Sequence, residues 1–268
     1  MTPTLDELAG GDPVMANITD LCRKISDKDL PLLILGDTGV GKDSLARALH
    51  ASGSRAGKPF ISINCAAIPA SLLASELFGY APGAFTDGAK NGYAGKLVAC
   101  NGGTFFLDEI GDMPLDLQAY LLRVLEERSV SPLGSNKAIP IDVRFISATH
   151  CDLAALVRRG RFRQDLYFRV RGVQVKLPAL RERLDLGELI DLFVAQEAQA
   201  QKLDITLCPK ARDVLCRYDW PGNIRELKSI LRVTISTCDG HHVTVTHLPS
   251  PLIEFARMRL SIDGRCSC

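Results

Sequence analysis

The stretch LPLLILGDTGVGKDSLARALH, residues 30–50, decides the fold of this chain. Four apolar residues, 32–35, come directly before a glycine-rich turn, and a segment with helical spacing follows it. A short apolar run that ends at glycine is typical of a buried parallel strand. The turn has the spacing GxxxxGK, in which backbone N–H groups and a lysine surround phosphate oxygens at a helix N-terminus. The sequence therefore predicts a strand, a phosphate-binding loop and a helix, with a glycine-rich turn that binds no ligand as the alternative.

The residue after the lysine departs from the usual pattern of such loops. A Ser or Thr at that position holds Mg²⁺ by its hydroxyl, whereas this chain has Asp43 followed by Ser44. Asp43 could support the metal through water. We predict that the whole loop contacts the nucleotide: Gly36, Asp37, Thr38, Gly39, Val40, Gly41, Lys42, Asp43 and Ser44.

A second acidic motif follows another apolar run. TFFLDE, residues 104–109, places Asp108 and Glu109 at the end of a predicted strand. Ligands of open α/β sheets bind at the carboxyl ends of the strands. Asp108 is suited to hold Mg²⁺ and Glu109 to orient or deprotonate an attacking water. A solvated strand end or a pair of helix caps is the alternative for two adjacent acids.

Strands and helices alternate along the first two thirds of the chain. Further buried strands are predicted at residues 59–65 and 141–150, and helices at 10–25, 44–50, 71–78 and 116–127. This alternation favours a parallel sheet with right-handed crossovers. From Leu184 onward only helices are predicted. We expect an α/β nucleotide-binding subdomain at 1–180, a small helical lid at 181–250 and a disordered tail at 251–268.

Composition excludes several classes of protein. The 268 residues carry a formal net charge of +1 and 46% hydrophobic residues, so a full core can form and no basic nucleic-acid-binding run is present. Nine cysteines without a CxxC pair favour reduced thiols and a cytoplasmic location. No apolar run approaches the ~20 residues of a membrane span.

Six motifs occur together and in order, and they indicate a family. They are GDTGVGKD, ELFGYAPGAFTDGAK, GGTFFLDEIGDMPLDLQAYLLRVLEE, GRFRQDLYFRV, LPALRER and WPGNIREL. With them the chain resembles the AAA+ central domain of bacterial enhancer-binding proteins, the activators of sigma-54 RNA polymerase, over residues 8 to 250. Within that family it looks most like acetoin-catabolism-type regulators. The resemblance implies ATP hydrolysis with Mg²⁺, a P-loop AAA+ fold, a homo-oligomer that is expected to be a hexamer, and sigma-54 as partner.

One glycine-rich segment is explained by this resemblance. In the family, a GAFTGA loop contacts sigma-54 and its movement is coupled to the nucleotide state. Here the segment reads GAFTDGA, with an additional acidic residue before the second glycine. A disordered surface insertion is the alternative. The residues predicted to bind the partner are Gly83, Ala84, Phe85, Thr86, Asp87, Gly88 and Ala89.

Five further site residues follow from the resemblance alone. Asn64 is similar to the residue that holds the catalytic glutamate, and His150, next to Thr149, lies at a sensor position. The resemblance makes Arg163 and Arg169 arginine fingers that complete a neighbour's site, and Arg225 a lid sensor for the γ-phosphate. For each, a purely structural role is the alternative: a strand-end turn for Asn64, a strand-end histidine for His150, and ion pairs for the arginines.

We therefore expect an oligomeric ATPase that remodels sigma-54 polymerase. A nucleotide-dependent interaction switch and a different AAA+ remodeller are the other two hypotheses. The sensory domain and the helix-turn-helix that usually flank this domain are expected to be absent from this chain, which would leave it without a DNA-binding module.

Overall fold

The structure is a computed structural model that describes residues 3–83 and 91–263, with side chains up to residue 258. Within the described residues the chain forms two compact units. The first takes in the chain up to Leu8 and the segments Asn17–Gly36 and Lys42–Leu177. The second takes in Ala9–Ala16, Asp37–Gly41 and the chain from Pro178 onward. No helix in the described part of the chain is both long enough and apolar enough to cross a membrane.

The β-strands are short and, in the first unit, mostly buried. In chain order they are β1 Leu32–Leu35, β2 Phe60–Asn64, β3 Thr104–Asp108, β4 Ser129–Val130, β5 Ile139–Pro140, β6 Arg144–Thr149, β7 Val173–Lys176, β8 Thr206–Leu207 and β9 His242–Val243.

The α-helices connect the strands and then form most of the second unit. They are α1 Leu5–Ala9, α2 Pro13–Ile25, α3 Lys42–Ser52, α4 Ala70–Phe78, α5 Lys96–Ala99, α6 Leu115–Glu127, α7 Leu153–Arg158, α8 Gln164–Val170, α9 Leu186–Gln201, α10 Pro209–Arg217, α11 Asn223–Ser236 and α12 Ser250–Asp263.

A five-stranded parallel sheet, in the order β2-β3-β6-β1-β7, is the centre of the first unit. Strand β6 is buried along its whole length, and β1 and β3 are buried except at their last residues. Such burial on both faces is expected when helices cover a parallel sheet on both sides. The predicted parallel sheet is therefore confirmed, whereas β7, whose exposed Gln174 and Lys176 break the apolar run, is not among the predicted strands.

Three thiols lie inside the first unit. Cys22, Cys65 and Cys100 are buried, and the cysteines of the described residues are all free. Burial raises the pKa of the Cys22 and Cys100 thiols to about 11, because a thiolate loses its hydration there. For Cys65, burial and the nearby Asp108 carboxylate raise the pKa to about 12. These side chains therefore behave as small apolar groups.

The helices of the second unit bury one shared apolar core. Leu189, Ile190 and Val194 of α9 pack with Leu227 and Leu231 of α11. The single tryptophan of the chain, Trp220, is fully buried in the same core, and its indole N–H donates to the carbonyl of Leu215. Helices predicted after Leu184 are therefore present, and they pack through apolar side chains.

Two predictions for the second unit are wrong. The region after Leu184 is not purely helical, because β8 and β9 pair in parallel over two residues each. The tail predicted to be disordered instead forms α12, which places Leu252 in the core with no exposed surface. The periodicity of this last segment is weak, so the tertiary contact of Leu252 was not visible in the pattern. Residues 264–268 lie outside the described residues.

Two leucines of α9 provide a matched test of the second unit's core. Leu189 is 7% exposed and Leu192 is 44% exposed. Leu189→Ala should lower the free energy of unfolding by about 2–5 kcal/mol, because it removes buried methyl groups and leaves a cavity. Leu192→Ala should change it by less than about 0.5 kcal/mol. Urea titrations followed by Trp220 fluorescence measure both, and equal losses would contradict this assignment of the core face.

Candidate active site

The polar residues predicted for the site lie at one edge of the sheet. Asn64 at the end of β2 is paired in register with Asp108 at the end of β3. Leu35 at the end of β1 is paired with Thr149 at the end of β6, and the next N–H along the chain, that of Gly36, donates to the carbonyl of Thr149 at 3.3 Å. Because the strands are parallel, four carboxyl ends with their polar side chains converge at this edge.

Lys42 lies in this edge as a buried cation. Its side chain is 7% exposed, and the ammonium donates to the carbonyl of Gly36 at 2.9 Å. The same nitrogen lies 3.4 Å from Oε1 of Glu109. A buried ammonium requires anionic and carbonyl partners, and here the loop carbonyl and the glutamate supply them. The predicted loop lysine and the predicted catalytic acid are therefore brought together.

The backbone of Glu109 is in the left-handed region, with φ 51° and ψ 50°. Glycine adopts this conformation readily, but other residues do so at a cost, and such residues concentrate at functional sites. The side chain is held from a second direction, since Oε2 lies 2.7 Å from Nδ1 of His150 and accepts from the His150 backbone N–H at 3.1 Å. An ionised carboxylate only accepts, so Nδ1 of His150 carries the proton.

These contacts set the ionisation of Glu109. Burial alone would raise the pKa of this carboxyl group, but the two hydrogen bonds from His150 and the charge of Lys42 together outweigh burial and hold the pKa below its usual value. The carboxylate form is thereby favoured. Glu109 therefore keeps an acceptor oxygen available, which is the requirement for a group that takes a proton from water.

Asp108 is in the opposite situation. Burial, followed by the neighbouring charge of Glu109, raises the pKa of Asp108, while Lys42 and two hydrogen bonds counteract this only in part. One of those bonds comes from Nδ2 of Asn64 at 3.0 Å, and Oδ1 of Asn64 accepts from the N–H groups of Ala66 and Ala67. Asn64 thus contacts Asp108 in this structure, and Glu109 is held by His150 and Lys42 instead.

The middle of the glycine-rich loop belongs to the second unit. Gly39 has φ 81°, and a Cβ added there would lie 2.3 Å from the carbonyl oxygen of Gly222. Only glycine fits this close backbone approach. The carbonyls of Thr38 and Gly39 accept hydrogen bonds from Nδ2 of Asn223 and the N–H of Arg225, at 2.9 and 3.3 Å. The backbone of Arg225 therefore contacts the loop, while its side chain is exposed.

The two predicted arginine fingers are exposed and lie around α8. Arg163 forms a two-pronged ion pair with Asp165, at 3.1 and 2.7 Å. Arg169 donates to the carbonyl of Leu125 at 2.8 Å. Arg163 and Asp165 also line a shallow surface depression of about 520 Å³ together with Gln164 and Phe168, and the Phe168 side chain there is 62% exposed. This face carries both charge and exposed aromatic surface.

The donor set at the sheet edge fits a magnesium ion. Asp108 and Glu109 offer two partly buried carboxylates next to the ammonium of Lys42, and burial, with the charge of Glu109 second, raises the pKa of Asp108, so a cation beside it would favour its carboxylate form. Mg²⁺ prefers carboxylate and hydroxyl oxygens. Ser44 is half-buried on the first turn of α3, whereas Asp43 is exposed and pairs with Arg47 at 2.7 Å.

Three residues near the site had no predicted role. Oxygens of Asp112 and Glu109 and a nitrogen of His150 all lie within 4.8 Å of one another. Sγ of Cys151 lies 3.5 Å from Nε2 of His150. Asn223 is buried and contacts the loop. Asp112 and Cys151 lie close in the sequence to the predicted residues Glu109 and His150, and Asn223 is part of the motif WPGNIREL. Their contacts, however, depend on the tertiary fold.

Most of the predicted partner loop, residues 84–89, lies outside the described residues. Gly83, at its start, is exposed and has φ 77°, a conformation that suits glycine.

The parallel sheet with its phosphate-type loop and the helical unit after it define a P-loop AAA+ fold. The family model "Sigma-54 interaction domain" matches residues 8–176, and "AAA+ ATPase lid domain" matches residues 181–259. The chain therefore belongs to the sigma-54 interaction domain family of AAA+ ATPases. The resemblance drawn from the six sequence motifs is confirmed.

Several characterised regulators are similar to this chain. It is 45% identical over 252 residues to the acetoin catabolism regulatory protein of Cupriavidus necator, covering 94% of this chain and 38% of that protein. It is 44% identical over 244 residues to the transcriptional regulatory protein ZraR of Salmonella typhimurium, covering 90% and 55%. The chain thus spans from about two fifths to just over half the length of these relatives.

Solved structures agree with the assignment. NtrX from Brucella abortus in complex with ADP superposes with a TM-score of 0.83 at 32% identity, covering 93% of this chain and 56% of that one. The complex of the same protein with ATP gives a TM-score of 0.83 and 32% identity, with coverage of 92% and 55%.

The contact between His150 and Glu109 makes a prediction about ionisation. Removing the imidazole in His150→Ala deletes a hydrogen bond that favours the carboxylate, so the pKa of Glu109 should rise. Because the folded-state pKa of Glu109 is lowered, its contribution to stability is present above the unfolded-state value and is lost as pH falls through the folded one. In the variant, that contribution should be smaller and its loss should be complete at a higher pH, because the folded-state pKa lies closer to the unfolded-state value.

NMR titration of ¹³C-labelled glutamate measures this pKa, with Glu109→Gln used to assign the signal. Cys151→Ser is the control, because it changes a neighbour of His150 and leaves the contact with Glu109 in place. An unchanged Glu109 pKa in His150→Ala would contradict the proposed origin of the shift.

Proposed function

We propose that this chain hydrolyses ATP and uses the energy to remodel a sigma-54 RNA polymerase complex. The observation that carries the first half is the buried Lys42 ammonium 3.4 Å from the Glu109 carboxylate at the carboxyl edge of a parallel sheet. This arrangement provides a cation for the phosphates beside a base for water. Binding of ADP and ATP by the similar NtrX protein supports a nucleotide as the ligand.

In the proposed reaction, water attacks the γ-phosphorus, Glu109 accepts a proton from that water, and the bond from the γ-phosphorus to the bridging oxygen breaks, which releases ADP and phosphate. His150 and Lys42 keep Glu109 ionised and fix its orientation, so the base is ready before water arrives. The Lys42 ammonium donates to phosphate oxygens, either in place of the Gly36 carbonyl or in addition to it. Its charge offsets the negative charge of the nucleotide.

Mg²⁺ fits this reaction as a partner of the nucleotide. Asp108 would hold it, with the hydroxyl of Ser44 as a second protein oxygen. When bound, the ion supplies positive charge that stabilises the phosphate oxygens. Asp43 has a smaller part in this proposal than the sequence suggested, because its carboxylate is engaged with Arg47.

We further propose that the site is completed by a neighbouring subunit. Arg163 and Arg169 are exposed on the face around α8, and arginine stays charged and can bridge phosphate oxygens. The Asp165 carboxylate that holds Arg163 in the isolated chain would then be exchanged for phosphate. The predicted contact of Arg225 with the γ-phosphate remains a prediction.

Mixing two inactive variants tests hydrolysis and shared sites together. Glu109→Gln should lower ATP turnover by about 100-fold or more, because it removes the base. Arg163→Ala should lower it by about 1000-fold. A mixture should recover activity, because the sites that pair an intact Glu109 with a neighbour's intact Arg163 make up about one quarter of a random assembly.

Phosphate release by each variant and by the equimolar mixture is the measurement, at several protein concentrations. The double variant Glu109→Gln/Arg163→Ala mixed with Glu109→Gln alone is the control, since no intact base is present there. If the equimolar mixture stayed as inactive as its components, sites within single chains would be indicated. If the wild-type chain released no phosphate, the nucleotide-switch hypothesis would replace hydrolysis.

The sigma-54 partner is supported by membership of the sigma-54 interaction domain family. We propose residues 83–89 as the contact, because an apolar ring and a hydroxyl between glycines offer an anchor for a partner. A hexamer and a cytoplasmic location remain predictions.

Deleting Phe85 and Thr86 should separate the two halves of the proposal. ATP turnover should stay within about two-fold of the wild type, because neither residue has a part in the proposed hydrolysis, whereas sigma-54 binding should fall by at least about ten-fold as an anchor is lost. Steady-state ATPase assays and co-sedimentation with purified sigma-54 in the presence of ADP and aluminium fluoride measure these quantities. Unaltered sigma-54 binding would exclude this segment as the contact.

A further inference from the structure

Asn223, the first residue of α11, joins the glycine-rich loop to another segment of the second unit. The side chain is completely buried. Its Nδ2 donates to the carbonyl of Thr38 at 2.9 Å, and its Oδ1 accepts from the N–H of Leu180 at 2.8 Å. Both ends of the amide are therefore used, and the loop is bonded through one side chain to the segment before α9.

The next peptide of the loop is held by the same helix terminus. The N–H of Arg225 donates to the carbonyl of Gly39 at 3.3 Å. Gly39 also packs so closely on the carbonyl of Gly222 that a Cβ would lie 2.3 Å from its oxygen. Two successive loop carbonyls, those of Thr38 and Gly39, thus point toward the start of α11.

Because the peptide bond is planar, the directions of these carbonyls also determine where the N–H groups of the loop point. In a trans peptide, the C=O and N–H groups point in opposite directions. Fixing the Thr38 carbonyl toward Asn223 therefore turns the N–H of Gly39 away from α11, and fixing the Gly39 carbonyl does the same for the N–H of Val40. Successive N–H groups on one side of a loop form an anion-binding nest.

We propose that Asn223 is a positioning residue for phosphate binding: it locks the Thr38–Gly39 peptide so that the loop's N–H groups face the phosphate chain of the nucleotide. This inference rests on the proposed nucleotide-binding function and adds a residue to it. Asn223 does not touch the nucleotide. It acts through the orientation of one peptide, which could otherwise rotate and present a carbonyl oxygen to the phosphates.

The residue type fits this role. Asn223 has φ 53°, in the left-handed region, which asparagine tolerates better than most residues other than glycine. A buried position that must both donate and accept is suited to an amide. The backbone around it is held firmly, because the N–H of Asn223 donates to the carbonyl of Trp220 at 2.8 Å and Glu226 accepts from the N–H of Gly222 at 2.8 Å.

Two substitutions test the hydrogen bonds of the Asn223 side chain separately from its backbone conformation. Asn223→Gly keeps the left-handed backbone accessible and removes both hydrogen bonds. Asn223→Asp keeps the acceptor for Leu180 and removes the donor to Thr38. Leu231→Ala is the control, because it destabilises the same unit from the core of α11, where Leu231 is 1% exposed, and lies away from the loop.

Isothermal titration of the whole chain with ATP, ADP and AMP is the measurement. Backbone N–H groups of such loops surround the α- and β-phosphates, and AMP lacks the β-phosphate, so Asn223→Gly and Asn223→Asp should raise the Kd for ATP and ADP by about 3- to 10-fold, the worth of one hydrogen bond. The Kd for AMP should change by less than about two-fold. Leu231→Ala should leave the ratio of the ADP and AMP constants at its wild-type value.

Two results would overturn the proposal. One is an ADP affinity within about two-fold of the wild type in both Asn223 variants, while the wild-type chain binds and hydrolyses ATP; the proposed function would then stand without this residue. The other is an equal loss for all three nucleotides in the Asn223 variants, which would indicate general damage to the second unit. Failure of the wild-type chain to bind ATP or ADP would overturn the proposed function, and this inference with it.

Discussion

The buried ion pair between Lys42 and Glu109 is the interaction on which the site depends. An ammonium with 7% of its side chain exposed requires compensation, and a single carbonyl does not neutralise it. Glu109 supplies the opposite charge from the end of β3, in a backbone conformation that few residues adopt without cost. The end of β3 and the loop after β1 must therefore lie at the same edge of the sheet, and the parallel pairing of both strands with β6 places them there. This places a cation that can bind phosphate within a few ångströms of an ionised base.

Local sequence predicted much of this arrangement. The apolar runs that became β1 and β3, with Lys42 in the loop after the first and Asp108 at the end of the second, were visible because a strand buried on both faces leaves an almost uninterrupted apolar pattern. Strand β7 was missed because its outward residues are polar. The helix α12 was missed because its main contact, the burial of Leu252, comes from residues distant in sequence.

Partners within the site could not be read from the sequence in the same way. The resemblance pointed to Asn64 as the residue that holds the glutamate, but its amide reaches Asp108, and His150 takes that place on Glu109. Strand neighbours and side-chain directions decide such pairs, and neither is a property of a motif. Asn223 shows the same limit more strongly: its motif was recognised, yet its hydrogen bonds to Thr38 and Leu180 link segments far apart in the chain.

The strand order also has a consequence for how the protein is made. The neighbours of β1 in the sheet are β6 and β7, which begin at Arg144 and Val173, so β1 emerges from the ribosome well before either partner has been made. Until then its apolar residues cannot be paired, and pairing across such a separation is slow because a long loop must close first. The nascent chain therefore exposes an unpaired, strongly apolar strand until residues 144–149 have been made, and exposed strands of this kind are prone to aggregate.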